Sequence, residues 1–213
     1  IQWNLSMLTD AQLDHFAVHG WVLQGNVFSS EEIDTFRSAL DRLYESKVST
    51  MVHKDTADIK NVDNMVNYDQ MFRDWIVNPK ILPVLKQLLG TPPRFECCHA
   101  MIKYPHPERE TKWSQLSDPS KMGWHRGIRP KYGVVAANNH DYINTTFLNN
   151  ATYLTDVGPE DGGTMILDGS HQIEAQYWRE IFDPAMVVQV EAKAGSVLHF
   201  TEALIHSGVP ILS

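Results

Sequence analysis

Apolar positions recur at helical spacing through the first part of the chain and give way to short, turn-bounded runs in the second half. Thr9 followed by Gln12 has the spacing of a capping box, Leu13 and Phe16 supply an apolar stripe, and Gly20 is a stop signal. Together they predict a helix from about Asp10 to His19, with a short strand at 21–23 after it. Ser29 and Glu32 repeat the capping signal, and Ile33, Phe36, Leu40 and Leu43 fall on one face, predicting a second helix to about Ser46. Residues 47–70 are polar and weakly periodic and read as a surface loop or a lid over a site. Pro79 can open a third helix through Ile81, Leu82, Leu85 and Leu89 to a stop at Gly90, after which Thr91-Pro92-Pro93 forces an extended turn.

From Arg94 onward the runs are short and bounded by Gly, Pro, Asn and Asp, at 95–103, 145–154, 164–167, 186–190 and 196–200. Helices first and many short strands afterwards predict a mainly β fold: an antiparallel barrel or jelly roll with helices packed outside it, not a parallel α/β sheet. At 213 residues the chain is expected to be a single domain, with 1–90 a mainly helical flank and 94–213 the β-barrel core.

Charge and composition narrow the partners. The net charge is −8, with acidic and basic residues interspersed, so no broad basic surface is expected to track a polymeric nucleic acid. No apolar run approaches the roughly 20 residues that cross a bilayer, and Ile1-Gln2-Trp3-Asn4 lacks the order of a signal peptide, so the expectation is a soluble, cytoplasmic protein. Cys97 and Cys98 are adjacent and cannot staple distant segments; they read as reduced thiols. The oligomeric state is not legible.

Ten histidines are many for this length, and most read as ordinary: His15 and His19 lie in the first helix, and His140 and His171 beside turns. The informative feature is an ordered series: Gly123-Trp124-His125-Arg126-Gly127, then Pro159-Glu160-Asp161-Gly162-Gly163 through Asp168-Gly169-Ser170-His171, then Ala194-Gly195-Ser196-Val197-Leu198-His199-Phe200, up to Ile205-His206-Ser207. This order, with the Leu8-Thr9 to Gly20-Trp21 opening and Ser30-Glu31-Glu32, resembles the phytanoyl-CoA dioxygenase family of iron(II)- and 2-oxoglutarate-dependent enzymes over nearly the whole chain. The resemblance implies a double-stranded β-helix, a cupin-like jelly roll, holding iron by a His-x-Asp pair on one strand and a distant His. By resemblance His125 is the first metal ligand and His206 the distal one. Residues two apart on a strand project to one side, so a His-x-carboxylate pair offers two ligands to one metal. Two imidazoles and one carboxylate leave three iron positions for 2-oxoglutarate and dioxygen.

Gly127 stands where the carboxylate should be. In halogenases similar to this family, a Gly or Ala at this point leaves room for chloride, which replaces both the ligand and its charge. The resemblance therefore implies Fe(II), 2-oxoglutarate, dioxygen and chloride acting on an unactivated carbon of a small metabolite. Oxidation of 2-oxoglutarate then removes a substrate hydrogen, and the carbon radical captures chlorine, with the protein positioning the radical. Gly127 and its neighbour Arg126 are the candidate catalytic positions.

Other readings stay open: a hydroxylase of the same family with an altered or inactivated iron site, or a catalytically silent jelly-roll binding module. A hydroxylase could recruit another carboxylate, but Glu202 lies four residues from His206, about 13 Å along an extended strand, and so is expected to be badly placed. His53-Lys54-Asp55 is a literal His-x-Asp but precedes the barrel strands. The family's 2-oxoglutarate-binding Arg is expected about ten residues after the distal His, beyond Ser213. Met101, Lys103, Ser207 and Gly208 are candidates for the cofactor pocket, although Met101 could be core and Ser207 a turn residue. Arg129 and Lys131 flank the first ligand and, if not a solvated edge, could grip an anionic substrate, a mononucleotide phosphate or a carboxylate. Trp124, with Tyr104 and Trp113, could supply a stacking wall in place of a core role.

Overall fold

The computed structural model describes residues 7–46, 55–108, 123–127, 136–138, 142–173 and 182–211. Helix α1 (Asp10–His19) starts on a complete Thr9/Gln12 capping box and ends at Gly20, whose φ of 81° is left-handed. A side chain at Gly20 would be strained by that φ and would also meet Nδ1 of His171 at 2.5 Å. The chain then enters β1 (Trp21–Gln24). Helix α2 (Ser30–Ser46) is capped reciprocally, the Ser29 amide donating to Glu32 and the Glu32 amide to Ser29 Oγ. Its buried stripe of Ile33, Phe36, Ala39, Leu40 and Leu43 packs with Val62, Phe72, Ile81 and Val197.

The segment expected to be a loop is partly ordered structure. Residues 47–54, including His53 and Lys54, lie outside the described residues, but β2 (Ile59–Asp63) follows and a 3-10 turn spans Met65–Asn67. The strand escaped notice because it is polar, with Asn61 and Asp63 buried; what orders it is full pairing with β3 (His99–Lys103), from Ile59 opposite Lys103 to Asp63 opposite His99. Helix α3 (Gln70–Ile76) was also not anticipated; its cap is the Asp69 carboxylate, which accepts from the Met71 amide at 2.8 Å. The helix expected from Pro79 opens later, as α4 (Leu82–Leu89), with Pro83 in its first turn. A turn at 78–81, closed by the Asn78 side chain on the Lys80 amide, precedes it.

The remaining described strands are β4 (Ala136–Asn138), β5 (Tyr142–Asn144), β6 (Leu148–Thr152), β7 (Asp161–Leu167), β8 (Val187–Val190), β9 (Val197–Thr201) and β10 (His206–Ile211). They form two main antiparallel sheets, ordered β1-β9-β6 and β10-β7-β8, with β2-β3 and β4-β5 as two-stranded ladders. Leu198 and Phe200 of β9 pack against Ile166 of β7 and Val190 of β8, together with Tyr153, Ala192 and Leu204, so the two sheets face each other across one core. The alternate β9 residue Val197 joins the α2 cluster, which puts the helices on the outer face of the first sheet. This is the expected mainly β jelly roll with helices outside it.

His199 sits on that outer face with no solvent exposure, its Nδ1 2.6 Å from Asn150 Oδ1 and its Nε2 3.4 Å from Gln24 Oε1. Burial pushes its pKa down from 6.5 to about 4, so the folded chain holds it neutral where an unfolded chain would protonate it. The unfolded state therefore binds the extra proton between pH 6.5 and 4, and the stability this residue permits above pH 6.5 drains as pH falls through that window. In urea melts from pH 7 to 4, the wild-type protein is expected to lose stability more steeply than His199→Gln by up to about 1.4 kcal/mol per pH unit. Parallel slopes would mean that His199 is charged or exposed.

Candidate metal centre

His125 and His206 meet through the backbone. Each amide donates to the other's carbonyl, at 3.0 and 2.9 Å, making an antiparallel bridge between the 123–127 segment and the start of β10. The two rings lie 4.4 Å apart between centroids, with Phe200 edge-on beneath His206 at 4.9 Å. Each ring is oriented the same way: His125 Nδ1 donates to the Gly123 carbonyl at 3.0 Å, and His206 Nδ1 donates to the Leu204 carbonyl at 2.9 Å. A carbonyl can only accept, so the proton sits on Nδ1 and the lone pair of each neutral ring is on Nε2. Desolvation, reinforced by the neighbouring His125, holds His206 neutral by pushing its pKa down to about 4, against the opposing Leu204 hydrogen bond. Two imidazoles with carbonyl-fixed Nδ1 atoms, each presenting Nε2, are the donor set a divalent transition metal takes, and the chemistry of the pair fits iron. Among the described residues, no three His, Cys, Asp or Glu side chains are gathered into a closed ligand set.

The third position holds a surprise. A Cβ built at Gly127 would overlap the Glu202 carboxylate, falling on its Oε1 and Cδ. The expectation that Glu202 is too far away is therefore corrected. It assumed an extended chain to His206, but residues 202–204 turn, with the Leu204 amide donating to the Thr201 carbonyl at 3.0 Å. The Gly127 amide then donates to the Glu202 carbonyl at 3.0 Å, and Asn149 Nδ2 donates to Glu202 Oε2 at 2.5 Å. Asn149 had no signal in the sequence beyond lying in a predicted strand.

The other expected site residues divide by strand alternation. Met101 and Lys103 share one face of β3, opposite Ala100, which packs on the α2 cluster. Lys103 Nζ donates to the carbonyls of Val209 at 2.9 Å and Gly163 at 3.4 Å, and it would lie 3.7 Å from a Cβ at Gly208. Burial pushes the Lys103 pKa down. Gly208 shares the His206 side of β10, whereas Ser207 is buried on the opposite side, across from Met165. Trp124 is buried in a cluster with Met165, Leu167, Ile205 and Val209 and is not brought to the pair. Arg126 also faces away, donating to the carbonyls of Ile173 at 2.9 Å and Ser170 at 3.4 Å. Tyr104 is exposed beneath the Lys60 ammonium, and Arg129, Lys131, Trp113 and His140 lie outside the described residues.

The profile of the phytanoyl-CoA dioxygenase (PhyH) family matches residues 16–213. The chain belongs to the phytanoyl-CoA dioxygenase family. A similar curated protein is dioxygenase af480 of Aspergillus fumigatus, 26% identical over 212 residues that cover 94% of this chain and 60% of the relative. The chain thus spans about 60% of that relative's length. Among solved structures, HygX from Streptomyces hygroscopicus with nickel and 2-oxoglutarate bound superposes with a TM-score of 0.72 at 18% identity, covering 97% of this chain and 82% of HygX. The 2-oxoglutarate-dependent carbocyclase SnoK from nogalamycin biosynthesis gives 0.71 at 18% identity, covering 97% and 80%. At these identities the two structures establish the shared fold. Among the described residues, no helix is long and apolar enough to cross a membrane.

The bonds of Arg126 to the 170–173 turn give the residue a structural task. Arg126→Met is expected to lower unfolding stability by about 1–3 kcal/mol, because two carbonyls lose a charged donor. An unchanged denaturant midpoint would contradict that assignment.

Proposed function

We propose that this phytanoyl-CoA dioxygenase-family chain is an iron(II)- and 2-oxoglutarate-dependent hydroxylase acting on an unactivated carbon of a small metabolite, with His125 and His206 as its two imidazole ligands. The observation that carries oxygen transfer over halogen transfer is the Glu202 side chain standing in the space beside Gly127. A halide on the metal would need that space. Bound at the pair, iron with 2-oxoglutarate and dioxygen supplies the oxidant that removes a substrate hydrogen. The balance is one oxygen atom to the product alcohol and one to succinate, with carbon dioxide released. The chain's own share is to hold the two Nε2 lone pairs in place, to keep the space beside Gly127 filled by the Glu202 side chain and to aim the substrate carbon. Lys103 supports the cofactor assignment: a largely buried ammonium bonded to two carbonyls, its desolvation opposed only in part by Asp58, can take the distal carboxylate that 2-oxoglutarate brings. HygX has been solved with hygromycin B bound, which favours a small-molecule substrate here too. Arg129 and Lys131 stand as proposed grips for a substrate anion.

The second reading, a chloride-using halogenase, rests on Gly127 itself, which offers no side-chain ligand. The two are separated without a substrate. Iron(II) and 2-oxoglutarate added to the protein without oxygen are expected to give a visible charge-transfer band that chloride and bromide leave unmoved. His125→Ala and His206→Ala are expected to abolish it, and Lys103→Met to weaken 2-oxoglutarate binding about tenfold or more. A band that shifts saturably with halide would favour the halogenase. Absence of any band would leave a jelly-roll binding module without iron.

A further inference from the structure

We propose that Glu202 is the third iron ligand of this site, a carboxylate delivered from the β9–β10 turn in place of one on the strand of the first histidine. The proposal rests on the iron and 2-oxoglutarate reading above and goes beyond it, because filling a space and ligating a metal are different roles. A carboxylate on residue 127 would project its oxygens about 2.4 Å beyond its Cβ. Glu202 Oε1 already overlaps that Cβ position, so ligation asks a rotation of the Glu202 side chain and no new path for its backbone. Its backbone is fixed for the task. The Glu202 amide donates to the Phe147 carbonyl at 3.2 Å, and its carbonyl accepts from the Gly127 amide at 3.0 Å. The residue is thereby pinned between the entrance to β6 and the segment that carries His125.

The carboxylate is also polarised in the way a ligating one is. Asn149 Nδ2 donates to Oε2, while among the described residues no donor engages Oε1, the oxygen on the residue-127 side. A donor on the outer oxygen fixes the orientation of the inner one, as outer-shell partners of ligating carboxylates do. Charge follows the same logic: two neutral imidazoles carry no negative charge, and Glu202 restores the single carboxylate charge that Gly127 removes. Gly127 and Glu202 are then one device. An aspartate at 127 and a glutamate at 202 cannot both keep their places, so glycine is the residue that admits the substitute ligand.

The test uses the wild-type protein, Glu202→Gln, Glu202→Ala and the double variant Gly127→Asp/Glu202→Ala. Manganese(II) affinity is measured by calorimetry, and the anaerobic iron(II)–2-oxoglutarate band by titration with and without chloride. Circular dichroism checks folding, and the Gln variant keeps the side-chain volume and an acceptor for Asn149. A ligating Glu202 predicts at least tenfold weaker manganese binding in Glu202→Gln and Glu202→Ala, recovery in the double variant, and a chloride-responsive band in Glu202→Ala alone. Folded Gln and Ala variants that bind manganese as tightly as wild type would overturn the proposal while leaving the iron and 2-oxoglutarate reading intact. So would a wild-type band that shifts with chloride. A wild-type protein that forms no band overturns the underlying reading and the proposal with it.

Discussion

The reciprocal backbone hydrogen bonds between His125 and His206 join a short segment far back in the sequence to the start of β10, and the chemistry of the site follows from that tie. It sets the distance between the rings, and the carbonyls of Gly123 and Leu204, each two residues before its histidine, then turn both Nε2 lone pairs to the same task. The jelly roll is what makes the tie possible. Facing sheets with a shared core of Ile166, Leu198, Phe200 and Leu204 give β10 a rigid floor, and Phe200 supports the His206 ring from below.

The same tie brings Gly127 against Glu202. In the linear sequence the glycine reads as a missing ligand; in three dimensions it is the clearance a neighbouring carboxylate needs. That change of meaning moves the expected chemistry from halogen transfer towards oxygen transfer, because a metal keeping three protein ligands offers its remaining positions to 2-oxoglutarate and dioxygen. The family membership is equally compatible with either outcome, so the weight falls on one side chain and its geometry.

Much of the fold was legible because its signals are local. The Thr9/Gln12 and Ser29/Glu32 capping boxes and the Ile33-to-Leu43 stripe act within a few residues, and α1 and α2 appear where those signals put them. The strand β2 was not legible: its polar residues are ordered by pairing with β3, about forty positions away in sequence, and nothing local announces that partner. Among site residues, His125 and His206 came from motif order, and two-residue alternation alone could have separated Arg126, Trp124 and Ser207 from the inward-facing set. Glu202 was misjudged because a straight-strand distance was applied to residues that turn, and a turn of this kind carries no Gly or Pro to give it away: the residues are Thr201-Glu202-Ala203-Leu204. Asn149 is legible only once Glu202 is in place.

Completion of the metal site by one carboxylate from the β9–β10 turn is open to direct observation. The most direct measurement is an anaerobic crystal structure of the protein with iron(II) and 2-oxoglutarate. The expected structure has His125 Nε2, His206 Nε2 and a Glu202 oxygen bonded to the metal, with Asn149 holding the other carboxylate oxygen. Iron held by the two histidines with halide or water in the third position, and Glu202 turned away onto Asn149 alone, would contradict it.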